Sequence, residues 1–264
     1  MRLKVVIGDE EEEIKIKDDY RRYFISFVKM SFEDNFDKIY SKKIVKPFTF
    51  SVFLGKNFKK EKEEMIISPP VNLIFSTGDF EIFTQFFNGV MKMKEENKGI
   101  KIGGGKILRI KNLFLMKPAE ITSSSAIFKT VETCILTNPD EDAKNFKRWF
   151  ITPKDNLDEF NRIFEKRMNQ KYEIIKGRKI SAKIRLIPLG DEERQRLVRK
   201  GVIPGSFNHE SIKEVYVKHY GGFMRGFKGV FYLEGNPEML QFVYDYGLGV
   251  RTGQGFGLID ILQK

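Results

Sequence analysis

Between Tyr246 and Leu258 the chain reads Y-G-L-G-V-R-T-G-Q-G-F-G-L, with five glycines in the eleven residues from Gly247 to Gly257. An amphipathic helical pattern precedes this run and an apolar strand pattern, Phe256 to Leu262, follows it. Glycine is favoured where backbone turns through φ > 0 or approaches another group closely. The run therefore has to be a tight loop that delivers the chain from a helix into its last strand. A set of backbone N–H groups beside one fork-shaped cation, Arg251, suits a phosphate. The same spacing also fits a glycine-rich hairpin with no ligand. No Gly-Lys-Ser/Thr follows, which excludes a Walker loop. A dinucleotide fingerprint follows a strand and opens a helix, and here that order is reversed.

The rest of the chain supplies the elements that such a loop would close. Arg2 to Ile7 reads as a strand, and the acidic run Asp9 to Glu13 as a solvated turn. A helix capped by Asp18 or Asp19 follows, with Tyr20, Tyr23, Phe24, Phe27, Val28 and Ser31 on one face. Phe48 to Leu54 and Met65 to Ser76 read as strands, the second interrupted at Pro69-Pro70. The mixed-charge stretch Lys56 to Glu64 reads as the turn between them. Asp79 caps a second helix with Phe83, Phe86, Phe87, Val90 and Met91 inward, and Ile102 to Ile110 and Leu113 to Met116 close the half. Strand, helix, strand, strand, helix, strand is the split βαβ, ferredoxin-like order.

Pro118 to Ser125 reads as a linker. The second half repeats the order: a strand at Ala126 to Leu136, a helix from Asn156 to Gln170, and a strand at Lys179 to Pro188. A charged helical insertion at Asp191 to Lys200 comes next, then strands at Glu214 to Tyr220 and Gly222 to Glu234. A helix opened by Pro237 leads into the glycine run and the last strand. The expected architecture is α+β, two tandem ferredoxin-like (RRM-like, βαββαβ) domains over residues 1–120 and 121–264, the second ending in the glycine-rich loop. No repeat at the level of sequence accompanies this inference.

Charge narrows the partner. Lys and Arg outnumber Asp and Glu by 47 to 36, for a net charge of +11, which suits a polyanion. No apolar run reaches the length of a membrane span, so nucleic acid is favoured over a membrane. The chain opens directly on a strand-like stretch, so no signal peptide is expected, and a cytoplasmic location follows. A single cysteine, Cys134, excludes an intrachain disulfide and a cysteine-based zinc site. The only histidines are His209 and His219, ten residues apart without clustered carboxylates, which read as ordinary surface or half-buried residues.

The helix, the glycine run with G-L-G-V-R-T-G-Q-G-F-G and the terminal strand resemble the hallmark of the RAMP superfamily. Within it the chain is most similar to the CRISPR-associated endoribonucleases that process repeat RNA, the sixth Cas family. A second match lies at Lys46-Pro47-Phe48-Thr49-Phe50-Ser51, which resembles that family's lysine followed by an F-T-(Y/F)-S strand. The resemblance implies repeat RNA of the precursor transcript as partner, bound along a basic face with the glycine loop supporting its backbone. A CRISPR effector complex is a further candidate partner, and the protein is expected as monomer or homodimer. No cofactor and no metal is implied.

The implied reaction is attack of a ribose 2′-hydroxyl on the neighbouring phosphate, giving a 2′,3′-cyclic phosphate and a 5′-hydroxyl. Lys46 fits the family's lysine. Lys29, on the polar side of the first helix, stands where the family places a tyrosine. Tyr40 or Ser41 stands where it places a histidine, and residues 1–208 contain none. The catalytic set carried over is Lys29, Tyr40 and Lys46. The RNA-binding set is Arg251 and Gln254 with Gly247, Gly249, Gly253, Gly255 and Gly257, joined by Arg21, Arg22, Ser41, Lys42 and Lys43. The departure at the histidine leaves two readings open, an endoribonuclease and a non-catalytic repeat-RNA-binding protein of the same superfamily. A general RNA-binding protein reading bases on an exposed sheet face would need RNP-type aromatics, which the sequence lacks.

Overall fold

The computed structural model describes residues 1–8, 13–32, 39–40, 45–55, 58–61 and 63–263. Its contacts divide the chain into two units. Unit 1 holds Met1–Pro118 together with Lys218–Gly222 and Gly253–Gly255, and unit 2 holds the remainder.

In unit 1, β1 (Arg2–Gly8) lies at the centre of an antiparallel sheet with β3 (Thr49–Phe53), β6 (Val71–Ser76), β7 (Gly99–Lys101) and β8 (Ile107–Met116). The spatial order is β3-β6-β1-β8-β7. Leu3, Val5 and Ile7 alternate along β1 and are fully buried, as a strand with one covered face requires. Helices α1 (Arg21–Ser31) and α2 (Phe80–Glu95) supply the cover. The contact of α2 with the sheet is aromatic: Phe86 stacks on Phe75 of β6 with centroids 3.9 Å apart, and Phe32 and Phe48 extend the cluster. Asp79 caps α2 as its sequence predicts, accepting from the Ile82 N–H.

Three expectations for this unit are corrected. The strands expected at Ile102 to Ile110 and Leu113 to Met116 are instead β7 and the single continuous β8, separated by a turn of 3-10 helix at Gly103–Gly105. Helix α1 has no carboxylate cap; the Asp19 carboxylate instead accepts from the backbone N–H of Tyr220. The supposed turn around residue 60 contains a strand. β2 (Ile14–Lys17), β5 (Glu64–Ile67) and β4 (Phe58–Glu61) form a second, three-stranded antiparallel sheet in the order β2-β5-β4. Ile14 and Ile16 turn inward there, with Lys15 and Lys17 outward. Most of the acidic run after β1, residues 9–12, lies outside the described residues.

In unit 2 the sheet order is β10 (Ile184–Pro188), β12 (Gly222–Gly235), β9 (Ser125–Thr130), β13 (Ile259–Gln263), with β11 (Ile212–His219) also pairing β12. Strand β9 ends at Thr130, short of the expected Leu136; beyond it the chain makes only single bridges, as Cys134 does with Phe227. A short helix α3 (Phe146–Trp149) precedes α4 (Leu157–Lys176), and α5 (Asp191–Arg199) and α6 (Pro237–Tyr246) follow. Asn156 and Asn236 cap α4 and α6 with their side chains, and Pro237 stands in the first turn of α6. Phe160, Phe164, Leu240 and Val243 pack with Phe227 and Phe231 of β12 in the core.

Arg225 of β12 braces this unit from a buried position. Its guanidinium donates to Asp155, to Glu214 and to the carbonyls of Lys147 and Phe150. Burial raises the Asp155 carboxyl, but the bonds from Arg225 and Thr152 outweigh it and the net shift is downward. The Arg225 bond lowers Glu214, more than burial raises it. Removing Arg225 strands two carboxylates and two carbonyls, so Arg225→Ala is expected to cost about 2–4 kcal/mol in guanidinium unfolding. Because both carboxyls are depressed, their stabilisation is complete above the ordinary carboxylate range near pH 4 and is lost as pH falls through the lowered values. A wild-type acid limb that is flattened in Arg225→Ala is the expected result.

Candidate nucleic-acid interface

In unit 1 the structure brings Lys29, Tyr40 and Lys46 together. The Lys29 ammonium lies 5.5 Å and the Lys46 ammonium 4.9 Å from the centroid of the Tyr40 ring. The sequence makes this arrangement in three ways. Lys29 projects from the last turns of α1, on its exposed side. Tyr40 is pinned by its ring against Phe32 and Phe48. Lys46 precedes Pro47, whose carbonyl accepts from the Thr77 hydroxyl at 2.7 Å, and Phe48, which is fully buried. The Lys46 ammonium also donates to the Ile39 carbonyl.

The electrostatics follow from the packing. Burial, reinforced by the Tyr220 charge, pushes the Tyr40 phenol well above its ordinary value, so it stays protonated near neutral pH. Burial and then the neighbouring Lys29 charge push Lys46 down. An amine with a lowered pKa between a cation and an aromatic ring can move a proton and stabilise an anion.

The tip of the glycine run, Gly253–Gly255, groups with this same unit. A Cβ built on Gly253 would stand 2.6 Å from Cγ and 2.8 Å from Cβ of Lys46. Gly253 therefore lies directly against the stem that carries the Lys46 ammonium. Gly255 packs on the Phe50 ring in the same manner. Gln254 between them is half-buried.

The rest of the glycine run belongs to unit 2, and most of it is buried. Gly247 and Leu248 donate their N–H groups to Val243 and Gly257, and Val250 and Gly257 donate theirs to Ile135 and Thr133. A Cβ on Gly249 would meet the Ile135 carbonyl oxygen at 2.2 Å. These glycines are explained by close backbone packing, and their amides largely serve the fold. Arg251 is the exposed residue of the run and takes a left-handed conformation, φ 59°.

Lys171 of α4, which sequence reasoning missed, holds the start of the run. Its buried ammonium donates to the carbonyls of Tyr246 and Gly247 at 2.8 and 2.7 Å, and to the Thr252 hydroxyl at 3.4 Å. It thereby satisfies carbonyls exposed by the end of α6. Burial pushes Lys171 down to about 7. The signal was present: Phe160, Phe164, Met168 and Lys171 continue one helical spacing, so a lysine falls on an apolar face.

The remaining predicted positions are dispersed. Arg21 is buried, with its guanidinium over the Tyr20 ring at 4.9 Å. Arg22 is half-buried, stacks over Tyr23 at 5.0 Å and donates to its hydroxyl. Ser41, Lys42 and Lys43 lie outside the described residues. His209 is exposed. His219 is buried rather than at the surface, with Nδ1 3.7 Å from the Asp19 carboxylate and its ring against Tyr220. Among the described residues no three His, Cys, Asp or Glu side chains are grouped to hold a metal, and no helix is long and apolar enough to cross a membrane.

The fold is α+β: three antiparallel sheets with packed helices, and a C-terminal glycine loop whose tip lies against Lys46. The family model for CRISPR associated protein Cas6, C-terminal, matches residues 116–261, and the chain belongs to that family. A putative CRISPR-associated endoribonuclease-like protein Cas6 of Pyrococcus furiosus is 26% identical over 219 residues, 82% of this chain and 79% of the relative. Among solved structures, the product of a Cas6-related gene from Pyrococcus furiosus superposes with a TM-score of 0.78 at 20% identity, covering 99% of this chain and 98% of the other. A RAMP protein binding different RNA substrates gives 0.76 at 20% identity, with 99% of each chain covered. At these identities the structural likeness speaks for the fold.

Two measurements test the geometry. Gly253→Ala requires no unusual φ and collides only with the Lys46 stem and, at ordinary contact distance, Phe48. It is expected to cost about 1–3 kcal/mol by overpacking, read as a lowered melting temperature, and to displace the Lys46 ammonium from the Tyr40 ring; if Lys46 serves RNA, affinity or turnover falls as well, read by fluorescence anisotropy and by gel. For Lys171, the folded value near 7 lies below the unfolded value of about 10.4. The unfolded chain binds more protons between these limits, so stability rises with pH across that window, by up to about 1.4 kcal/mol per unit. Urea unfolding of Lys171→Met at several pH values is expected to flatten that rise.

Proposed function

We propose that this protein binds CRISPR repeat RNA and cuts it without a metal, by 2′-hydroxyl attack, at the cluster of Lys29, Tyr40 and Lys46. The carrying observation is the placement of two ammonium groups over one buried tyrosine ring, with Gly253 against the Lys46 stem. In this reading each unit is a ferredoxin-like domain, with residues 1–120 and 121–264 as the two halves. Taken in chain order, the four principal strands of each follow the same spatial order, second-third-first-fourth. The protein works in the cytoplasm as a monomer or homodimer and hands its product to a CRISPR effector complex.

The lowered Lys46 amine takes the proton of the 2′-hydroxyl. The 2′-oxygen bonds to phosphorus, the bond from phosphorus to the 5′-oxygen breaks, and Lys29 stabilises the charge on the five-coordinate phosphorus and protonates the departing oxygen. Tyr40, held neutral, orients the lysines. Arg22, Arg251 and Gln254 contact phosphates, while the loop glycines place those side chains. Ser41, Lys42 and Lys43 continue the basic run in sequence.

Two observations favour a second reading, a repeat-RNA-binding protein that does not cut. Burial holds the Tyr40 phenol protonated, and no histidine precedes residue 209. The relative's description as endoribonuclease-like and the neighbour described as binding different RNA substrates are compatible with it.

The test is incubation with a repeat RNA in excess EDTA, beside the same RNA carrying a deoxyribose 5′ of the cut. EDTA-resistant cleavage abolished by the deoxyribose supports the proposal. Lys46→Arg keeps the charge but cannot act as base, and is expected to lose about 10²–10⁴-fold in rate with little change in affinity. Tyr40→Phe is expected to retain activity within about tenfold. Since Lys46 is lowered, the wild-type rate should rise with pH through its titration and level off sooner than for an ordinary lysine. Tight, salt-sensitive binding with no cleavage at any pH would establish the second reading.

A further inference from the structure

A cavity of about 560 Å³ opens in unit 1 between α1, α2 and β7. Its volume is that of a small-molecule site. Tyr23 and Met30 of α1 and Met93 of α2 form its apolar walls, and Ser26 and Asn97 bring polar groups. Lys98 and Lys101 line it as cations. Among the described residues no acidic one lines it, whereas the other two cavities described on this unit carry Glu13 and Glu64, or Glu61, Glu63 and Glu64. The first of those two mixes its carboxylates with Lys15, Lys17 and Lys106, and the second is net acidic; the cavity beside α1 presents cations with no carboxylate among its described lining.

The chemistry of the walls is specific. The Tyr23 ring already carries the Arg22 guanidinium over it, 5.0 Å from its centroid. Thioethers adapt to flat aromatic groups, and Met30 is 42% exposed although it belongs to a packed helix. The Ser26 hydroxyl donates to the Arg22 carbonyl at 3.0 Å, which leaves its oxygen able to accept. The Asn97 carboxamide combines a donor and an acceptor, the pair that reads the edge of a base. Lys98 pairs with Glu96, but both are exposed, and such a pair is readily exchanged for a phosphate.

We propose that this cavity takes one unpaired nucleotide of a bound RNA strand, its base between Tyr23 and the methionines and its phosphates on Lys98 and Lys101. Ser26 lies one turn from Arg22 and from Lys29 along α1, so a strand tracking those cations passes the mouth of the cavity. The inference rests on the RNA-binding reading given above and adds a base-selective site apart from the Lys29, Tyr40 and Lys46 cluster.

The test uses the full chain with methyl-¹³C methionine. Signals of Met30 and Met93 are assigned through Met30→Leu and Met93→Leu, and Met168 and Met239 of unit 2 report on folding. Hexa-adenylate RNA, hexa-uridylate RNA and adenosine monophosphate are titrated separately. The expected result is a saturable shift of Met30 and Met93 with at least one hexanucleotide. Ser26→Trp, which fills the mouth, and Lys101→Glu, which reverses the rim charge, are each expected to weaken that binding at least fivefold while Met168 and Met239 stay in place. Binding of the hexanucleotides by anisotropy with Met30 and Met93 unmoved would overturn the site and leave the RNA-binding reading standing. Monophosphate acting as tightly as the hexanucleotides would overturn the assignment to an RNA strand in favour of a free nucleotide. Shifts on hexanucleotide binding without cleavage of repeat RNA would support the site and remove the catalytic reading alone.

Discussion

The candidate site depends on backbone that runs closer to its neighbours than any side chain allows. At Gly249 the chain lies against the Ile135 carbonyl, at Gly257 against the Leu248 carbonyl, and at Gly253 against the stem of Lys46. Three contacts of this kind within nine residues leave the loop little freedom. Such packing demands that the polar groups of the loop find partners nearby. The Lys171 ammonium, with the Ile135 and Thr133 carbonyls, provides several of them.

The glycine run is closely packed backbone whose amides largely serve the fold, and a phosphate cradle of free amides is a poor description of it. Its buried part belongs to the fold of unit 2. Its tip groups with unit 1, where Gly253 lies against the Lys46 stem. Burial raises Tyr40, and burial followed by the neighbouring Lys29 charge lowers Lys46, so both shifts depend on how tightly this cluster is packed. A group built from packing is sensitive to single methyl groups placed at some distance from any substrate.

Much of the architecture was legible because caps and periodicity are local signals. Asp79, Asn156 and Pro237 marked helix starts, and Phe83, Phe86 and Val90 marked a buried face. What escaped was non-local. Asp19 looks like a helix cap but is claimed by the Tyr220 amide, some two hundred residues away in the chain. Strands β2 and β4 are four residues each and lie in charged sequence; propensity reads a turn at β4 and no element at β2, and pairing with β5 makes both into a sheet. In the site, the two lysines and the tyrosine came from a family pattern, and their mutual geometry from the structure. Lys171 and Arg225 could have been suspected as charges on apolar faces, but their acceptors are carbonyls and carboxylates that no spacing rule identifies.

Arg251 carries a consequence of its own. It is a non-glycine residue in the left-handed region, within a run where glycine is the common choice. Holding it there costs about 1 kcal/mol relative to glycine. Any programme that ranks substitutions by folded stability would therefore nominate glycine at 251 early, and would obtain a sturdier protein stripped of the one exposed charge on its loop. If Arg251 contacts RNA as proposed, position 251 is a place where selection for heat resistance and selection for that partner pull in opposite directions.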